Sequence, residues 1–218
     1  MIKILILDYS VDRSETYLIK RCLPANSDVS SLFIDTEESF SDNLINDDFT
    51  HVIHTGSSFS ITKITPFTDK AVEYIKKARD KGVRQMGICY GHQLICRALV
   101  GKQAVRASPN SLEAGWNSIK FLNSSISIFG VKENEVVWQH HFDEVTELPD
   151  GSELLATNEH TRIQAYINYK QRLFGMQFHP EFDKEAGDKI FLDKKSLLLG
   201  PSFEVGKVFF DFFLGMKV

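Results

Sequence analysis

The first half of the chain alternates between short, nearly continuous apolar runs and longer stretches with one apolar face. Residues 2–7, 29–34, 52–54 and 86–88 are runs of the first kind and read as strands buried on both faces. Between them, residues 13–22 predict a helix. So do residues 69–81, where Val72, Ile75 and Ala78 share one face and lysines and aspartates the other. The middle of the chain, 117–138 and 153–177, changes to a strand-rich pattern, with turns expected at Asn123-Ser124 and Pro149-Asp150-Gly151. Helical periodicity returns at 184–192 and 204–214. The phenylalanines of the latter recur with a period that suits packing onto a sheet better than a membrane contact. The pattern predicts an α/β fold, an open and mostly parallel sheet flanked by helices, with an antiparallel excursion.

Composition narrows the function classes. A chain of 218 residues without repeat, low-complexity run or linker is expected to form one domain, 1–218, with a substantial core. Its 25 basic and 29 acidic residues leave a net charge of −4 without a basic stripe, which argues against nucleic-acid binding. The apolar opening is too short for a signal peptide or a membrane span. Three cysteines without paired spacing argue against a disulfide framework, and a cytoplasmic location is expected.

The candidate chemistry centres on Gly87-Ile88-Cys89-Tyr90-Gly91-His92-Gln93, between a strand-like approach and the helical run 94–99. Small residues two before and two after a cysteine allow the tight strand–turn–helix bend of a nucleophile elbow. A sulfur at a helix N-terminus feels unsatisfied N–H groups and the helix dipole, which favour its thiolate. An imidazole must come from elsewhere. His179 is the best donor, at the end of the strand predicted over 172–178, where Pro180 biases it toward extended backbone. Glu181 can reach back to the ring and hold the tautomer that presents Nε2 to sulfur.

A lone cysteine more often fills a core. The joint pattern outweighs that reading for Cys89, whereas packing suffices for Cys22 and Cys96. His92 ranks below His179 as base, because a side chain inside the elbow helix tends to point away from the sulfur. The close pairs His51/His54 and His140/His141 lack metal-site spacing, so no metal is expected.

With Gly175-Met176-Gln177-Phe178-His179-Pro180-Glu181-Phe182, the elbow segment resembles the two signatures of the class I, triad-type glutamine amidotransferases. The similarity spans essentially the whole chain and is nearest the lone-domain branch that resembles the amidotransferase half of GMP synthase. The resemblance implies a flavodoxin-like sheet, a Cys89–His179–Glu181 triad and no cofactor. It also implies an oxyanion hole from the Gly56 and Ser57 loop and the Tyr90 N–H. Gln93 matches a glutamine-holding position, and Trp138-Gln139-His140-His141-Phe142-Asp143 resembles the pocket-lining loop. Ser57 stands where a second glycine is common, and His140 and Phe142 are bulkier than the residues usually flanking the pocket histidine.

No phosphate-binding GxxxxGK(S/T) loop or SGGxDS motif is present, so the chain cannot activate an acceptor with ATP unaided. Two readings follow. One is a glutaminase that works on glutamine and supplies ammonia to a separate synthase partner. The other is a stand-alone γ-glutamyl peptidase that cleaves larger γ-glutamyl amides. A non-catalytic binding module is disfavoured by the complete triad.

Overall fold

A computed structural model describes residues 2–41, 44, 47–190 and 203–216. Its elements are β1 (Lys3–Asp8), α1 (Glu15–Cys22), β2 (Asp28–Phe33), β3 (His51–His54), α2 (Thr68–Asp80), β4 (Arg84–Ile88) and α3 (Tyr90–Leu99). Then come β5 (Val105–Ala107), β6 (Glu113–Phe121), α4 (Asn123–Phe129), β7 (Asn134–His141), β8 (Asp143–Val145), β9 (Glu153–Thr157), β10 (Ala165–Asn168), β11 (Leu173–Met176), α5 (Lys184–Ile190) and α6 (Phe203–Gly215).

Nine strands form one sheet in the order β2-β1-β3-β4-β11-β10-β9-β6-β7, and β5 pairs with β8 separately. β2, β1, β3, β4 and β11 run parallel, and the remaining pairings are antiparallel. The mostly parallel sheet expected from the sequence is thus present, and β10, β9, β6 and β7 form its antiparallel excursion.

Strand alternation divides the core. Ile4, Ile6, Ile53, Met86 and Ile88 face α1, α4 and α6, where Phe209, Phe210 and Phe213 are buried as expected for the aromatic tail. Leu5, Leu7 and Val52 face α2 and α3, with Ile75, Leu94, Ile95 and Cys96 opposite. Cys22 and Cys96 are packed in these cores on the two sides of the sheet, where burial pushes both thiols up to about 12.

Several boundaries differ from the sequence expectation. The turn expected at Asn123-Ser124 is the start of α4. Ser125 Oγ bonds the Leu122 and Leu155 carbonyls, Phe129 is buried against α6, and Gly130, at φ 67°, ends the helix. β11 is shorter than 172–178 because Arg172, at φ 59°, belongs to the preceding turn. The helix expected over 184–192 is present as far as Ile190, and 191–192 lie outside the described residues. No helix among the described residues is long and apolar enough to cross a membrane.

Candidate active site

The chemistry-bearing residues gather at the C-terminal edge of the parallel strands. β4 and β11 are neighbours, with Ile88 opposite Met176, so the chain leaves both strands at one place. The Cys89 N–H donates to the Met176 carbonyl at 2.8 Å, fastening the two ends together. Cys89 is the N-cap of α3 with φ 47° and ψ −103°, a conformation that side-chain-bearing residues adopt only under constraint. The flanking glycines explain how the bend is packed. A Cβ on Gly87 would lie 2.5 Å from the His92 nitrogen, and one on Gly91 would overlap the His54 carbonyl.

His179 follows β11. Its N–H donates to the Trp138 carbonyl at 2.9 Å, tying it to β7, and its Nδ1 lies 2.7 Å from Glu181 Oε1. Nε2 is buried without a hydrogen-bond partner among the described residues. Burial lowers the pKa of the ring, keeping it neutral. Glu181 is buried too, and its carboxyl is raised to about 7. Cys89 is only 3% exposed. Its sulfur sits 3.7 Å from the His140 carbonyl.

Burial raises the Cys89 thiol well above its ordinary range. The nearby Glu15 and Glu181 carboxyls act in the same direction, while the Tyr90 N–H lowers it. The helix terminus therefore does not produce a standing thiolate. At rest, Cys89 is a thiol and His179 a neutral imidazole.

Against His179 lies a cleft of about 420 Å³ whose wall includes Ser57, Ser58, Trp138, His140, His179 and Glu15; Cys89 is not part of that wall. The Thr55–Gly56 loop is fixed from three sides: Thr55 N–H bonds Leu7, the Thr55 hydroxyl accepts from Tyr9 N–H, and the Thr55 carbonyl accepts from Gly91 N–H. Gly56 lies directly against the imidazole. A Cβ there would be 2.8 Å from His179 Cε1 and 3.1 Å from Glu15 Oε1. Gly56→Ala is expected to tilt the ring and lower kcat by about 10²-fold, the scale of a 1 Å misplacement, with the fold retained. Steady-state kinetics with circular dichroism checks this; unchanged kcat would refute the close contact.

Other expected pocket residues are placed differently. β7 turns Trp138 and His140 toward the cleft and His141 to the opposite face, where Nδ1 bonds the Asp143 carbonyl and Nε2 bonds Glu113 at 3.0 Å. Gln93 Nε2 donates to the Asp143 carbonyl and to Gln177 Oε1, so its amide is engaged inside the wall. Phe142 is 41% exposed and does not line the cleft. His92 packs against Tyr166 and is kept neutral by burial, at about 3. His51 and His54 are buried and neutral, near 4; His54 bridges Tyr9 and Gln85.

Two further residues shape the site. Asp143 Oδ2 accepts from Ser60 Oγ and Ile61 N–H, holding the loop that follows Ser58. Glu15, in the first turn of α1, brings Oε1 to 3.8 Å from His179 Nδ1. The sequence did carry a signal for Glu15, because it occupies the stripe of Leu18, Ile19 and Cys22, an acidic residue at an apolar position. Glu15, His179 and Glu181 form one compact group of potential metal ligands, but Nδ1 is already engaged by Glu181.

The family model of class I glutamine amidotransferases matches residues 8–198. The chain belongs to that family. It is a glutamine amidotransferase-type amide hydrolase. Over 66% of its length and 74% of the other, the chain is 33% identical to a protein from Sulfolobus acidocaldarius named as a glutamine-hydrolysing GMP synthase subunit. It is 36% identical, over 66% and 73%, to the protein of the same name from Saccharolobus solfataricus. A glutamine amidotransferase structure from Methylobacillus flagellatus superimposes with a TM-score of 0.75 over 99% of this chain and 95% of that one, at 18% identity, a likeness of fold.

Proposed function

We propose that this chain hydrolyses the γ-carboxamide of glutamine through Cys89, His179 and Glu181, with residues 1–218 as one catalytic unit, and passes the ammonia to a separate synthase subunit. The observation that carries the reading is the conjunction at the β4 and β11 ends. There a cysteine occupies a strained helix-capping turn at the end of β4, and the neighbouring β11 leads to an imidazole whose Nδ1 is held by a carboxylate and whose Nε2 is unpartnered among the described residues. The relatives named as glutamine-hydrolysing GMP synthase subunits support glutamine as substrate and a partner synthase.

In this mechanism, His179 Nε2 takes the Cys89 proton as sulfur attacks the amide carbon. The carbonyl electrons move onto oxygen, which meets the Tyr90 N–H and the Gly56 and Ser57 N–H groups. Collapse breaks the C–N bond, and the imidazolium proton leaves with nitrogen as ammonia, giving a γ-glutamyl thioester. Water then gives a proton to His179 and attacks the thioester. The sulfur departs, recovers that proton, and glutamate is released. Because the resting thiol is neutral, His179 acts as a true general base.

A second reading has its own support. A cavity of about 490 Å³ adjoins the cleft and shares Asp12, Ser14 and Phe182 with it, continuing past Tyr17 and Arg21. Such a groove has room for a leaving group larger than ammonia, as a γ-glutamyl peptidase needs. Glutamate release from glutamine and from γ-glutamyl dipeptides decides between the two. Glutamine turnover stimulated by a GMP synthase-type synthetase partner supports the first reading; rapid dipeptide cleavage with negligible glutamine turnover replaces it with the second.

A further inference from the structure

Glu15 has no role in the mechanism above, yet it is buried against it. Three observations fix its setting. Its Oε1 is 3.8 Å from His179 Nδ1, and Glu15, His179 and Glu181 each bring one such atom within 4.8 Å of the others. Its Oε2 and Glu181 Oε2 are both buried, and neither receives a donor from any described residue. Glu15 is also held in place. Asp8 accepts from Thr16 N–H at 3.0 Å and from the Thr16 hydroxyl at 2.5 Å, fastening the first turn of α1 to the end of β1.

Two buried carboxylate oxygens without donors, on neighbouring side chains, would be a costly arrangement if both groups were ionised. One proton relieves it, converting one carboxyl into a donor to the other, as in acid pairs that titrate as a unit. We propose that Glu15 is a positioning residue that shares one proton with Glu181, so that the pair presents a single negative charge to His179 while Glu181 keeps hold of Nδ1. The proposal rests on the triad reading above.

The surroundings agree. Burial and Glu181 both raise the Glu15 carboxyl well above its ordinary range, Asp8 adds to this, and His179 opposes it. The other titratable groups facing the cluster are Cys89 at the start of α3, Cys22 in α1 and His140 on β7. A thiol carries no positive charge in either state, and burial lowers the pKa of His140, so these groups do not favour a second carboxylate. A doubly ionised pair would also oppose the negative charge that must develop on Cys89.

The test uses the full chain and two variants. Infrared difference spectra of wild type minus Glu15→Gln, near pH 7 and without substrate, are expected to show a protonated-carboxyl carbonyl band that shifts in D2O. Glu15→Ala leaves Glu181 without its donor and is expected to lose about tenfold or more in kcat with little change in KM. Glu15→Gln, whose amide can donate the same hydrogen bond, is expected to recover most of that loss. Its kcat/KM profile should lack the alkaline fall that ionisation of Glu15 causes in wild type. Absence of the band, an alanine variant as active as wild type, a glutamine variant as impaired as alanine, or identical pH profiles would each overturn the proposal. So would a stoichiometric divalent metal in the purified protein. The infrared band is read without turnover, so its absence is distinguishable from failure of the glutaminase reading, which shows as missing glutamate release in wild type.

Discussion

Cys89→Ser is expected to reduce glutamate release by at least about 10³-fold, because removing the nucleophile of a residue set that acts as a unit forfeits most of its rate enhancement. Serine keeps the shape of the site but offers a hydroxyl whose proton is far harder to remove. A buried neutral imidazole that can barely deprotonate the thiol has little chance with an alcohol. The thioester can no longer form, and alkylation that labels the wild type at Cys89 should disappear. Retention of full activity would place the nucleophile elsewhere. Cys22 and Cys96 cannot substitute, since both are packed in the core on either side of the sheet.

The same residue predicts a stability change of opposite sign. At φ 47° and ψ −103°, Cys89 carries a backbone cost on the order of 1–3 kcal/mol that glycine would not. Cys89→Gly is therefore expected to be inactive and yet at least as resistant to denaturant as wild type, despite glycine's greater freedom when unfolded. A variant clearly less stable than wild type would mean that the turn is relaxed rather than strained. Strain retained at one residue, in a place where the fold gains nothing from it, is what a positioned nucleophile requires.

What can be read from sequence follows from how local each signal is. The elbow is legible because its requirements are local: an apolar strand, two glycines spaced about one cysteine, and a helical run. The His-Pro-Glu segment is legible for the same reason, and register does the rest, since β4 and β11 turn out to be parallel neighbours. What escapes depends on tertiary partners. α4 reads as a turn because Asn123 and Ser124 favour turns, while its stability comes from Phe129 under α6 and from Ser125 reaching Leu155. The resemblance groups His141 with the cleft, but a strand sends neighbours to opposite faces, so His140 takes that wall and His141 goes to Glu113. Glu15 is the instructive case: nothing in its neighbourhood marks it, and only its position on a buried helical stripe sets it apart.

His179→Ala and Glu181→Gln should separate proton transfer from orientation. His179→Ala removes the partner placed to carry the thiol proton to the leaving nitrogen, and a loss of about 10³–10⁴-fold in kcat is expected. Glu181→Gln preserves an acceptor oxygen near Nδ1 but removes the charge that stabilises the imidazolium, and a smaller loss, about 10- to 10²-fold, is expected. Equal or reversed losses would contradict these roles.

The pH dependence carries a further signature. Burial raises Glu181 to about 7 from an ordinary value of 4.5, so wild-type kcat/KM should fall as pH drops below about 7, when the carboxylate that holds Nδ1 takes a proton. Stability should move the other way. The folded chain binds this proton more tightly than the unfolded chain, so the Glu181 contribution is complete below about 4.5 and is lost as pH rises through about 7. Denaturant titrations across that window should show wild type losing stability where it gains activity, and Glu181→Gln should flatten both slopes. Parallel rises in the two quantities would mean that Glu181 is not the group that titrates. The opposition has a simple origin: the ionised acid that orients the base is the form that this dry corner of the protein least favours.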